Sequence, residues 1–183
     1  ISRGMLRGEA LARYVSGQVG AKTIESFPLP LGIVATDLHN GKGVLFVTGD
    51  TGTAVRASSS VPGVFQPVKI GTREYVDGGL VSPVPVRYAR QMGAEVVIAV
   101  DISATPESNP ALSTMDIMLQ TFAIMSLSIN SFELKEADVA VRPALAGVSS
   151  ADFASKRRSI EAGRAAMLAV LPQLRTAIAV KSQ

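Results

Sequence analysis

One carboxylate, Asp77, stands where an acid could take part in chemistry. It lies in the stretch REYVDGGLVSPVPV (residues 73–86), at the end of a short strand-like run and directly before Gly78 and Gly79. An acid at the tip of a strand is rigidly placed, and two glycines leave room for another group to approach, which suits a general base. Because Asp-Gly is also a strong turn signal, a purely structural turn stays open as the alternative.

Other polar side chains with catalytic potential have simpler structural explanations. Asp37 and Asp101 each follow a buried apolar run, where open α/β sheets bind ligands, but we expect each to cap the following turn or helix. Residues 58–60 (SSS) lack the flanking glycines of a serine elbow and are expected to end a helix. His39, the only histidine, lies in a polar Asn-Gly turn that offers nothing to orient its ring.

The composition excludes several classes of site. The 183 residues contain no cysteine and one histidine, which rules out disulfides, a cysteine nucleophile and multi-histidine metal clusters. The motifs G-x-S-x-G and G-x-x-x-x-G-K-[ST] are absent, and the glycines of residues 48–54 (TGDTGTA) are expected to form a turn that enters a helix. The net charge of +3 and the dispersed basic residues do not favour nucleic-acid binding, but they are compatible with contact with an anionic membrane surface.

The elements that position these residues alternate between strand and helix. Runs rich in apolar residues predict strands over residues 29–38, 44–50, 73–77, 95–103 and 138–143. Apolar residues at helical spacing, together with start and stop signals, predict helices over residues 6–19, 54–60, 84–92, 115–134 and 153–180. Runs such as VVIAV do not alternate with polar residues, which suits strands covered on both faces. We therefore predict an α/β fold with a mainly parallel sheet layered with helices, in one domain over residues 1–183.

Two finer expectations concern the C-terminal helices. Pro172 is expected to kink or restart the last helix. The longest uncharged stretch, residues 117–132, contains six polar side chains and is expected to be too short and too polar to span a bilayer. Its methionines suit either an acyl-chain site or ordinary packing against a sheet, and the second alternative is favoured.

Residues 35–86 resemble the patatin-like phospholipases, in particular the bacterial patatin-like esterases and lysophospholipases. Three stretches carry the likeness: ATDLHNGKGVLFVTGD (residues 35–50), AVRASSSVPGVFQPVKI (residues 54–70) and YVDGGLVSPVPV (residues 75–86). The resemblance implies a three-layer α/β architecture. It also implies that residues 1–183 are the C-terminal portion of a single patatin-like domain, incomplete at its N-terminal side.

The same resemblance implies a serine acyl hydrolase that cleaves a phospholipid, lysophospholipid or related ester with a Ser-Asp dyad and without cofactor or metal. It makes Asp77 the catalytic acid, supported by Gly78 and Gly79. The serine and the oxyanion loop are expected upstream, so the chain alone should be inactive and should associate with that missing segment or form a homo-oligomer. We expect a cytoplasmic or peripheral membrane location. The alternative is a catalytically inactive lipid-binding or interaction module derived from that fold.

Overall fold

The computed structural model describes residues 3–103, 106, 111–148 and 153–182. These residues form two compact units, divided between Pro83 and Val84. The first unit contains β1 (Gly4–Leu6), α1 (Glu9–Gln18), β2 (Ile33–Asp37), β3 (Gly43–Phe46), α2 (Thr51–Ser58), β4 (Gly63–Phe65), β5 (Val68–Ile70) and β6 (Arg73–Asp77). The second contains α3 (Val86–Gln91), β7 (Ile98–Val100), α4 (Thr114–Glu133), β8 (Val139–Val141) and α5 (Lys156–Lys181).

The main sheet of the first unit has the strand order β3-β2-β6-β5. Strand β2 lies between two partners, and all five of its residues are buried. Its register places Ala35 opposite Asp77 and Asp37 opposite Tyr75. The end of β6 is therefore fixed against the most enclosed strand of this unit.

Every pairing in this four-stranded sheet is antiparallel. The prediction of an α/β fold is confirmed, but the prediction of a mainly parallel sheet is wrong for the described strands. Only two pairs are parallel, β1 with β4 and β7 with β8. The physical reason is that β2 and β3, and β5 and β6, are joined by short turns, which permit only antiparallel pairing. Strand β2 lacks alternation because it is buried along its whole length, packed against helix α2 and against the turn that follows β6, and not because it is parallel.

Helix α2 covers one face of the sheet through small side chains. Ala57 packs with Ala35, Val68 and Tyr75 in one buried cluster. The ring of Phe46 meets the ring of Tyr75 edge-on, with centroids 5.1 Å apart. Alanine on the helix lets it approach the sheet closely, so the end of α2 comes near the end of β6.

The second unit is built around the parallel pair β7 and β8. Its core contains Val86, Val97, Ala99 and Leu134, and α5 packs against β8. Arg90 joins the helical and strand layers because its guanidinium donates to the carbonyl oxygens of residues 94, 95 and 136 and to the carboxylate of Asp138.

Three helices differ in detail from expectation. Helix α3 is Val86–Gln91, which is shorter at both ends than the predicted helix over residues 84–92. Helix α5 continues through Pro172 without a break in its assigned span. Within the described residues, Thr114–Glu136 is one segment whose length and composition alone would let it cross a membrane, which corrects the expectation for residues 117–132. Apolar helices of globular proteins meet the same criteria.

Candidate active site

Asp77 is the last residue of β6 and the N-cap of a single 3-10 turn, Gly78–Leu80. Its side-chain Oδ1 accepts a hydrogen bond of 2.7 Å from the backbone N–H of Gly79. The predicted strand and the alternative turn are therefore both present, since the acid ends the strand and caps the turn. This bond holds the carboxylate in one orientation.

The backbone of Asp77 is held from two sides. Its N–H donates to the carbonyl oxygen of Ser60 at 3.0 Å, and its own carbonyl oxygen accepts from the hydroxyl of Thr36 at 2.7 Å. Ser60 follows helix α2, while Thr36 belongs to β2. The acid is thus placed by a helix end and by the central strand together, as a precisely oriented catalytic group requires.

The two glycines after Asp77 have different structural reasons. A Cβ on Gly78 would overlap the carbonyl oxygen of Val34, so the close approach of the turn to β2 requires glycine there. A Cβ on Gly79 would lie 3.0 Å from Oδ1 of Asp77. Gly78 therefore permits the packing, and Gly79 permits the hydrogen bond to the carboxylate.

The environment of Asp77 favours proton uptake. Burial raises the pKa of this carboxyl above its ordinary value, and the hydrogen bond from Gly79 lowers it only in part. Among the described residues, no group donates a hydrogen bond to the second carboxylate oxygen, Oδ2. This oxygen is also not one of the side-chain atoms that are fully buried without a hydrogen-bond partner. One oxygen orients the group and the other is available to accept a proton.

Asp37, the second candidate acid, has a structural role. It is 1% exposed, and its carboxylate accepts from the N–H groups of His39 and Asn40 and from the guanidinium of Arg73 at 2.8 Å. Burial raises its pKa, but these hydrogen bonds and the charge of Arg73 outweigh burial and lower the pKa overall. The prediction that Asp37 caps a turn is confirmed.

The remaining polar candidates of the first unit are also structural. Helix α2 ends at Ser58, as predicted, and the buried hydroxyl of Ser60 donates to the carbonyl oxygen of Arg56. His39 lies in an exposed turn with Nε2 3.3 Å from a carboxylate oxygen of Glu74. The glycine-containing run enters α2 through its cap Asp50, whose carboxylate accepts from the N–H of Thr53.

A cavity in the second unit was not predicted. It has a volume of about 290 Å³ and is lined by Asp101, Ser103, Leu127, Asn130, Ser131, Arg142 and Pro143. Asp101 caps its turn by accepting from the N–H of Ser103, as expected, but it also faces Arg142 at 3.4 Å. Asp101 and Arg142 each follow one of two parallel strands, and that shared position is the signal that could have revealed the cavity.

The described residues contain no group of three or more histidine, cysteine, aspartate or glutamate side chains arranged to hold a metal ion. In the first unit, Asp77 combines a fixed orientation with a raised pKa, and both properties suit a group that accepts a proton.

Residues 1–90 match the family model described as "Patatin-like phospholipase". The resemblance to the patatin-like phospholipase family is therefore confirmed for this part of the chain. Asp77, Gly78 and Gly79 all fall within the matched region.

Two NTE family proteins of Mycobacterium tuberculosis, both named as uncharacterized, are similar to the chain. One is 39% identical over 108 residues, which cover 59% of this chain and 30% of that protein. The other is 27% identical over 192 residues, which cover 91% of this chain and 33% of that protein. A lysophospholipase, NTE1, of Debaryomyces hansenii is 29% identical over 91 residues, covering 50% of this chain and 6% of its own. The chain thus spans about a third or less of the curated relatives that it matches.

Proposed function

We propose that Asp77 is the general base of a lipid ester hydrolase that uses a Ser-Asp dyad. The observation that carries this proposal is the asymmetric carboxylate, in which Gly79 holds Oδ1 and Oδ2 has no described donor. A base needs this combination of fixed orientation and a free lone pair. The partner serine is assigned to a G-x-S-x-G motif outside these 183 residues, because that motif is absent from them.

An aspartate can do this work only if its proton affinity is raised. An ordinary Asp, with a pKa of ~3.9 against ~6.5 for His, is a poorer base by roughly 3.5 kcal/mol. Burial raises the pKa of Asp77 and so reduces this deficit. An acyl chain bound beside the carboxylate would exclude further water and reduce the deficit again.

The proposed reaction proceeds through an acyl-enzyme. The serine Oγ attacks the ester carbonyl carbon while its proton passes to Oδ2 of Asp77. The tetrahedral intermediate collapses, the C–O bond to the alcohol breaks, and Asp77 returns the proton to the leaving oxygen. Water then repeats the sequence on the acyl-serine and releases the fatty acid. Backbone N–H groups of the segment that carries the serine would stabilise the oxyanion.

The proposed substrate is a lysophospholipid, phospholipid or related carboxylic ester. The family match and the similarity to a protein named as a lysophospholipase support this class. No residue of the proposed reaction requires a metal or an organic cofactor.

The test is turnover by the complete gene product and its Asp77→Asn variant. Hydrolysis of a lysophosphatidylcholine and of a soluble nitrophenyl ester should fall by roughly 10²–10⁴-fold in the variant, as expected for loss of a general base. Asp50→Asn, which alters only the α2 cap, should retain turnover. Retention of most activity by Asp77→Asn would overturn the dyad, whereas an inactive wild-type gene product would favour the lipid-binding module. We expect residues 1–183 alone to be inactive.

A further inference from the structure

The net positive charge of this chain comes from helix α5. Its 26 residues include six basic side chains (Lys156, Arg157, Arg158, Arg164, Arg175 and Lys181) and one acid, Glu161. The rest of the chain has twelve basic residues against fourteen acidic ones. The basic residues that look dispersed along the sequence are therefore unevenly distributed over the structure.

The outward side of α5 combines this charge with apolar surface. Arg157, Arg164, Leu168 and Arg175 project within about 40° of one another around the helix axis, given about 100° of rotation per residue. All four are exposed, Leu168 by 58% of its surface. We call these four residues the basic face. Two further exposed apolar side chains, Ile160 and Ile178, flank it.

The opposite side of α5 makes the contacts with the rest of the unit. Ala166, Val170 and Ala177 are partly buried there, at about 180–220° from the basic face, and the helix packs against β8. The amide of Gln173 donates to the carbonyl oxygen of Asp138 at 3.1 Å. The orientation of α5 is therefore fixed, and the basic face is held away from β8.

The arginines of the basic face are not paired within the described part of the chain, although Glu161 lies one turn from Arg157 and from Arg164. Among the described residues, Arg157, Arg164 and Arg175 take part in no ion pair. The helix begins with three consecutive basic residues and has no acid in its first turn, although the dipole makes that end positive already. Such an arrangement is unfavourable in isolation and becomes favourable beside a negatively charged surface.

We propose that the basic face of α5 docks on an anionic lipid surface. The charge complementarity selects anionic headgroups, because phosphate and carboxylate oxygens would neutralise the unpaired guanidinium groups. Leu168 would enter the boundary between headgroups and acyl chains, as apolar side chains of interfacial helices do. The small exposed residues Ala165 and Ala179 beside the basic face allow the helix axis to approach the surface closely.

The first experiment measures binding of the complete gene product to vesicles. All variants carry Asp77→Asn so that lipid turnover does not interfere, and binding is compared between phosphatidylcholine vesicles with and without phosphatidylglycerol. Binding should require the anionic lipid and weaken with salt. The double variant Arg164→Gln/Arg175→Gln should lose about five-fold in partitioning per residue. The matched double variant Arg13→Gln/Lys42→Gln, in exposed residues of the first unit, should bind like the parent.

The second experiment places a probe on the basic face. These 183 residues contain no tryptophan, so the emission of Leu168→Trp is taken as the difference from the parent protein, and Tyr14→Trp on α1 provides an exposed control. With anionic vesicles, the emission of Trp introduced at position 168 should shift to the blue, and the control should not shift. Equal vesicle binding by both double variants, or no blue shift at position 168, would overturn the proposal. A second set of α5 variants keeps Asp77, and its activity on a soluble ester should equal that of the wild type, which separates this result from failure of the dyad.

Discussion

The backbone N–H of Asp77 donates to the carbonyl oxygen of Ser60 at 3.0 Å, which joins the end of β6 to the residues that close helix α2. The hydroxyl of the same serine is buried and bonded to the carbonyl oxygen of Arg56. Ser60 therefore contributes as a positioning residue through its backbone, although its position in a serine triplet first suggests a nucleophile. The placement of Asp77 depends on packing between a helix and a sheet.

The loss of activity at low pH should reflect the raised pKa of Asp77. A general base must be ionised, so kcat/KM on a soluble ester should fall as the pH falls, with a midpoint above 3.8, the ordinary value for Asp. The profile is measured on the complete gene product, with circular dichroism recorded at each pH to exclude unfolding. A midpoint at or below the ordinary pKa of Asp, measured while the protein is still folded, would contradict burial as the source of the reactivity of Asp77.

Replacement of Asp77 should not weaken the fold at neutral pH. Because burial raises its pKa in the folded state, the folded protein binds the proton more tightly than the unfolded chain does. This contribution to stability is present below the unfolded pKa and is lost as the pH rises through the folded pKa. Asp77→Asn should therefore melt at the same temperature as the parent or higher at pH 7. A clearly lower melting temperature at pH 7 would show that the ionised carboxylate stabilises the fold.

The two glycines of the turn should respond differently to alanine. Gly78→Ala should destabilise the protein by about 1–3 kcal/mol, because its Cβ meets the rigid carbonyl group of Val34. Gly79→Ala should leave the denaturation midpoint almost unchanged and reduce kcat by roughly 10- to 100-fold, since it displaces the carboxylate of Asp77. Urea unfolding and ester hydrolysis of both variants provide the comparison. Equal effects of the two substitutions on stability would be inconsistent with separate roles.

Loss of Arg73 should make the protein more sensitive to acid. The lowered pKa of Asp37 contributes stability above the unfolded value, and this contribution disappears as the pH falls through the folded value. Arg73→Met removes one of the groups that lower the pKa, so the midpoint of acid unfolding should move to higher pH. Lys69→Met on the neighbouring strand β5, which has no described ion pair, serves as the control. Identical acid transitions for both variants would argue against this role of the ion pair.

The sequence predicted the candidate site better than the sheet around it. Strand β6 ends at Asp77 as expected, because Asp-Gly-Gly both stops a strand and forms a turn. The strand directions could not be predicted, since an uninterrupted apolar run such as residues 33–35 (IVA) indicates burial on both faces and not the direction of its neighbours. Strands β1, β4 and β5 have three residues each, too few for any periodic signal.

Contacts distant in sequence were also beyond prediction. The pairing of Asp37 with Arg73 depends on the register of β2 against β6, which short-range patterns do not encode. The excess of basic residues in α5, by contrast, lies in one continuous stretch and could have been counted from the sequence. Individual residues could be judged from local sequence, but pairs distant in sequence could not.

Strand β2 is hydrogen-bonded along both edges and buried along its whole length. Its amide protons should therefore exchange with solvent deuterium only when the first unit opens as a whole, and not through local fraying. The backbone of Asp77 is hydrogen-bonded to this strand, so its carboxylate stays aligned only as long as the sheet stays folded. Heat should consequently not separate a partly active, loosened form from the folded one, because the acid and the strand lose their order in the same event.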